Sequence, residues 1–262
     1  METTRHNTKK RKPSTTGVRL CSVRSIASLV IASCLTIFVQ SSNATTLGGI
    51  VSPTLSAYSS AGSSGAPTVL AYENFTGSNG SSLNNTLTDG GGYTWVQKNG
   101  TWTVTSNQAD SNNNSNSFLF VNSTLSSGSV EVVLSRNGAT TFDSGGVINA
   151  TSDAKDALTV SWLSSSNGTI AIWKRVNSAW TQLASVTNLY PGGIATAPTS
   201  VTVRLESPSN SQMKAYLNGV LVISHTLSAG DQTTFKNATH TWAGFYADSS
   251  GTVTFDNWHL DA

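Results

Sequence analysis

The sequence predicts an all-β sandwich of two antiparallel sheets, preceded by a signal peptide and a flexible linker. Three observations carry this reading. From Val69 onward, short segments alternate apolar and polar residues with the period of a half-buried strand. Turn chemistry such as "SSSNGT", "SPSNSQ" and "DSSG" separates those segments, and no convincing amphipathic helix interrupts them. The chain before Thr45 is unlike the rest, with a basic stretch followed by an apolar one.

That leader reads as a secretory signal peptide over residues 1–44. Arg5, Lys9, Lys10, Arg11, Lys12, Arg19 and Arg24 precede an apolar run from Ile26 to Val39, and Ser42-Asn43-Ala44 supplies small residues for cleavage. As a helix the run would span only ~21 Å, short of the ~30 Å hydrocarbon core. Cleavage is therefore the reading, with a retained anchor as its alternative. Ile31-Ala32-Ser33-Cys34 also has the shape of a lipoprotein box, but Leu35 to Val39 continue the apolar run past Cys34.

Removing the leader changes the charge. Residues 45–262 keep eight of the 15 Lys and Arg against twelve of the 13 Asp and Glu, a net of −4. Nothing basic remains to favour nucleic acid. Both cysteines, Cys21 and Cys34, leave with the leader, which excludes a disulfide framework and thiol chemistry from the rest. Residues 45–68 are rich in Ser, Gly and Ala and form the expected linker, leaving 69–262 as one domain.

The expected strands run in order as "VLAYENF", "TWTVTS", "SFLFVN", "SVEVVLSR", "ALTVSWLS", "TIAIWKRV", "AWTQLASV", "SVTVRLES", "MKAYLNG", "VLVISHTL", "AGFYA" and "TVTFDNWHL". Asn218-Gly219 between two of them predicts a type I′ hairpin turn. Alternation sorts the faces. In "TIAIWKRV", Ile170, Ile172 and Val176 share an apolar face with Lys174 as its odd member, while Ala171, Trp173 and Arg175 share the other. In "SVTVRLES", Arg204 lies on the polar face, and in "MKAYLNG" so does Tyr216. Trp102, Trp162 and Trp242 lie in apolar runs and read as core.

On these segments the chain resembles the concanavalin A-like lectin/glucanase superfamily, in its laminin-G-like branch. "ENFTGSNGSSL…GGGYTWVQKNGTWTV" is similar to the opening segment of such domains, "AYLNGVLV" to an internal hairpin, and "AGFYADSSGTVTFDNWHL" to their closing strands. The resemblance implies a jelly-roll sandwich with the first and last strands side by side. It also implies a structural calcium near the junction of the termini, with Asp256 as the last-strand ligand and Glu73 and the Gly90–Gly92 loop as companions. The alternative for Asp256 is a hydrogen bond from neighbouring backbone or from Asn257. The Glu-x-Asp-x-Glu motif of the superfamily's glucanases is missing, because Glu73, Glu131 and Glu206 stand far apart in sequence.

No other catalytic signature fills that gap. His225, His240 and His259 show no metal spacing, and Gly90–Gly92 lacks the lysine and helix of a phosphate loop. The expectation is a secreted, non-catalytic glycan-binding or cell-surface module whose partner is a carbohydrate or cell-surface polymer. Trp173 would stack on the sugar, with Arg175, Arg204 and Tyr216 beside it. A structural or adhesive protein without a sugar pocket, and a divergent glycosidase, are the rival readings.

Overall fold

A computed structural model of the chain describes residues 68–112, 114–248 and 253–262. The expected leader, nearly all of the linker and Cys34 lie outside these residues. The described residues fall within the unit Ser59–Ala262. Strands β1 (Val69–Glu73), β2 (Val96–Lys98), β3 (Thr103–Thr105), β4 (Gln108–Asp110), β5 (Ser117–Asn122) and β6 (Gly128–Ser135) are followed by β7 (Asp143–Ala150), β8 (Ala157–Leu163), β9 (Thr169–Val176) and β10 (Ala179–Val186). Next come β11 (Ser200–Ser207), β12 (Gln212–Leu217), β13 (Val220–Thr226), helix α1 (Ala229–Phe235), β14 (Trp242–Ala247) and β15 (Thr254–Asp261).

The strands form two antiparallel sheets, the jelly-roll sandwich that the sequence predicts. One has the order β13-β12-β11-β6-β15-β4-β3, with β1 also paired to β15; the other has the order β10-β9-β8-β7-β14-β5-β2. The first and last strands are neighbours, with Tyr72 opposite His259 and Glu73 opposite Trp258. Asn218 and Gly219 carry positive φ of 50° and 77°, as the predicted hairpin requires.

Between the sheets lies a core rich in aromatic rings. Trp95, Trp102, Trp162, Trp258, Phe245 and Phe255 are all fully buried, with the Phe245 and Phe255 rings stacked at 4.7 Å. Burying each such side chain contributes about 1.5–3 kcal/mol.

Strands β2, β4 and β7 and helix α1 escape the sequence reading. Strand β7 begins Asp-Ser-Gly-Gly, a composition depleted in strands. Gly145 is there because a Cβ would stand 1.7 Å from the Val160 carbonyl oxygen of β8. Helix α1 is too short to show a helical period, yet it is capped by Ser228, whose hydroxyl accepts from the Asp231 amide at 3.1 Å. The helix explains the odd lysine: Lys174 on the inner face of β9 pairs with Asp231 at 2.6 Å.

Candidate functional site on the concave sheet

The seven-stranded sheet is strongly curved. Three strands separate β9 from β5, so a flat sheet would hold them about 19 Å apart. Nevertheless the Arg175 guanidinium carbon of β9 lies 5.0 Å from the centre of the Phe118 ring of β5. Trp180, one strand further out on β10, reaches the same group, with its ring 5.4 Å from Tyr246 and 6.4 Å from Phe118. Side chains standing on one face can meet across four inter-strand steps only if that face is concave.

This face carries a second apolar cluster of Phe118, Phe120, Val147, Ala150, Ala154, Ala157 and Tyr246, with Trp180 and Trp242 packed against it. The sequence expects the second side of these strands to meet solvent. Instead, Ala171 and Arg175 are buried there, because the curvature folds the face toward itself. Trp242 is likewise a correction: it belongs to this cluster and not to the core between the sheets. The seven tryptophans divide cleanly. Trp95, Trp102, Trp162 and Trp258 are fully buried between the sheets, while the partly exposed Trp173, Trp180 and Trp242 all share the concave face.

Polar groups are set among these rings. The Tyr246 hydroxyl donates to Asp143 Oδ1 and is hydrogen-bonded to Ser161 Oγ. Burial pushes the Asp143 carboxyl up to about 6, against the pull of the Tyr246 hydrogen bond. Trp180 Nε1 donates to Asn116 Oδ1 at 3.2 Å, and Arg175 Nη1 donates to the Ala154 carbonyl. By contrast Trp173 Nε1, Arg175 Nε and Thr159 Oγ1 are buried without a hydrogen-bond partner among the described residues. Thr159 sits directly opposite Trp173, and Arg175 is two residues further along the same face. Asp143, Tyr246 and Thr159 went unnoticed in the sequence, since only the strand pairing of β7, β8 and β14 brings them to this face.

The four residues expected to bind ligand together are split two and two. Arg204 and Tyr216 stand opposite each other on β11 and β12, on the outer face of the eight-stranded sheet. Trp173 and Arg175 stand on the outer face of the other sheet, so the sandwich core separates the pairs. Around Arg204, its Nη2 contacts Glu206 Oε1 at 3.2 Å and Asp261 Oδ2 at 3.9 Å, and Tyr216 donates its hydroxyl to Glu206 Oε2 at 3.0 Å. Glu131 and His259 continue the row across β6 and β15. Burial raises the Glu131 carboxyl's affinity for its proton, and Arg204 opposes this. A cleft of about 310 Å³ borders the cluster, lined by Ser129, Arg204, Glu206 and Pro208.

Glu73 and Asp256 do not come together either. Glu73 points inward, its carboxylate accepting from Trp95 Nε1 at 3.1 Å and from the Phe75 amide at 2.9 Å. Asp256 stands opposite Val133 on the outer face, at a bulge between Asp256 and His259, and accepts from the Asn257 amide at 2.8 Å. Two carboxylates on opposite faces of one sheet cannot ligate a common ion, so this pair does not fit the expected calcium. Among the described residues no group of three or more His, Cys, Asp or Glu side chains could hold a metal.

No protein-family model matches the chain, and no curated protein matches it either. Solved structures do. The carbohydrate-binding module CBM66 from Bacillus subtilis aligns with a TM-score of 0.52 at 18% identity, over 64% of this chain and 95% of that one. The binding domain of botulinum neurotoxin serotype D aligns at 0.48 and 14% identity, over 74% of this chain and 47% of that one. Galectin LEC-6 from Caenorhabditis elegans aligns at 0.38 and 10% identity, over 54% of this chain and 87% of that one. The first of these likenesses establishes a shared fold, and at such identity it establishes the fold alone.

Proposed function

We propose that the protein is a secreted, non-catalytic glycan-binding module of the concanavalin A-like, laminin-G-like kind, with its ligand on the concave face. One observation carries this reading: every partly exposed tryptophan stands on that face, while the other four are sealed in the core. Indole rings offer flat apolar surfaces to the CH faces of sugars, and nearby amides and guanidinium groups fix hydroxyls. Gln182, opposite Trp173 on β10, and Arg175 supply such groups. The fold shared with CBM66, a carbohydrate-binding module, agrees with this reading. Glu206 and Asp261 gather around Arg204 on the far side of the sandwich, and Asp143, the carboxyl set among the concave-face rings, is engaged by the Tyr246 hydroxyl, which supports binding over hydrolysis.

The adhesive alternative draws on the β12–β13 hairpin, where Val220 and Leu221 are 64% and 48% exposed. An array of neutral and acidic glycans probed with the purified full chain separates the readings. The concave site predicts that Trp173→Ala weakens binding by about tenfold or more, some 1.4 kcal/mol, while Arg204→Ala leaves it unchanged. The reverse pattern would move the site to the cleft beside Arg204. A folded protein that binds no glycan would leave the adhesive role.

A further inference from the structure

We infer that the concave face takes an anionic saccharide, its carboxylate or sulfate group held by Arg175 Nε, Trp173 Nε1 and Thr159 Oγ1. This rests on the glycan-binding reading and sharpens it to a ligand class.

Of the eleven buried side-chain polar atoms that lack a hydrogen-bond partner among the described residues, three stand at neighbouring positions of the concave face. Buried polar groups are nearly always hydrogen-bonded, so three orphans on adjacent positions call for an explanation. Thr159 and Trp173 are cross-strand partners, which places their Cβ atoms about 4.5–5.5 Å apart. Arg175 lies about 7 Å further along β9, on the same face. An indole N–H and a guanidinium Nε–H can only donate, and a hydroxyl can donate as well as accept. The missing group is therefore an acceptor that can take several donors at once.

Charge narrows the class. Arg175 is buried between the rings of Phe118 and Trp180, at 5.0 and 5.3 Å, and its one hydrogen bond among the described residues is to the neutral Ala154 carbonyl. Among the described residues none of the acids whose charge acts on it, Asp153, Asp248 and Asp156, forms an ion pair with the guanidinium; Asp153 pairs with Lys155 at 3.0 Å, and Asp156 stands 3.4 Å from His240 Nε2. Burial still lowers the proton affinity of the guanidinium although Asp153, Asp248 and Asp156 act against it, so the cation is under-compensated. A buried charge without a counter-charge is costly. An oxyanion in direct contact would supply both the counter-charge and the acceptor, through hydrogen bonds about twice as strong as neutral ones. Partly exposed rings on either side, Trp173 and Trp180, would cover the rest of a sugar. Trp180 hangs from the edge strand β10 and screens the guanidinium, so the ligand reaches it by turning that indole aside.

The test uses the full chain with polygalacturonate and its carboxyl-reduced counterpart, and in a second arm a sulfated galactan and its desulfated form. The expected result is that at least one anionic form binds about tenfold or more tightly than its neutral partner, with the advantage shrinking as salt rises. The arm that responds identifies carboxylate or sulfate. Arg175→Met should abolish the discrimination, and Thr159→Val should reduce it several-fold. Equal affinity for neutral and anionic forms would overturn the inference while leaving the glycan reading intact. No binding to any saccharide by folded protein would overturn both. Should Arg175→Met fail to fold, Thr159→Val decides: a discrimination that it leaves unchanged removes this assignment.

Discussion

The guanidinium carbon of Arg175 stands 5.0 Å from the ring centre of Phe118, although β8, β7 and β14 lie between their strands. This contact reports the curvature of the seven-stranded sheet, whose concave face holds an aromatic cluster. It also places a buried cation beside Trp180 on the face that the three partly exposed tryptophans share.

Asp143 should make stability depend on pH. Burial lifts its carboxyl from 3.8 to about 6 in the folded protein. A raised carboxyl contributes stability that is full below its unfolded value and is lost as pH rises through the folded one. Stability should therefore fall by roughly 1–3 kcal/mol between about pH 4 and pH 6. Asp143→Asn should flatten that slope in urea titrations taken across the range.

Lys236 behaves with the opposite sign. Its ammonium donates to the Ser207 and Pro208 carbonyls, each at 2.8 Å, and burial lowers its value from 10.5 to about 8. A depressed lysine costs stability while it is charged, so stability should rise as pH climbs from about 8 toward 10.5. Lys236→Met should remove this rise. At neutral pH it should also lose about 1–3 kcal/mol, because the buried acceptors are left unpaired. Chemical unfolding at two pH values measures both effects.

Gly145→Ala should not give a stable protein. The new Cβ would stand 1.7 Å from the Val160 carbonyl oxygen, and both atoms are backbone-fixed between β7 and β8. Gly138→Ala is the control. Its φ of +83° adds about 1–2 kcal/mol of strain, but no atom lies within 4 Å of its Cβ. Circular dichroism and thermal melts of the two variants should differ sharply.

Asp256→Asn should leave any calcium response of the melting temperature unchanged. Asp256 faces away from Glu73 across the sheet, and its carboxylate serves the Asn257 amide. Thermal melts in calcium and in chelator, for the parent and the variant, check this. A calcium shift that disappears in the variant would place an ion at Asp256 after all.

Period and turn chemistry determine most of the fold before any coordinate is known. Strands β5, β9, β10 and β11 fall on the short segments read between turn signals, and Asn218-Gly219 turns as its residues demand, because these signals are local. Helix α1 and strand β7 stay hidden for the same reason. Seven residues show no helical period, and Gly145 answers to a carbonyl on a neighbouring strand.

The candidate site follows the same division. Residue types and alternation assign Trp173 and Arg175 to one face of one strand, and Arg204 and Tyr216 to polar faces of two others. Which sheet each strand joins depends on pairings between residues far apart in sequence. Those pairings set Arg204 and Tyr216 on the opposite side of the sandwich and keep Glu73 apart from Asp256. Curvature is likewise a property of the whole sheet, accumulated strand by strand, and no segment carries it alone. Only the tertiary structure could bring Phe118 to Arg175 and leave three donors on β8 and β9 without a partner among the described residues.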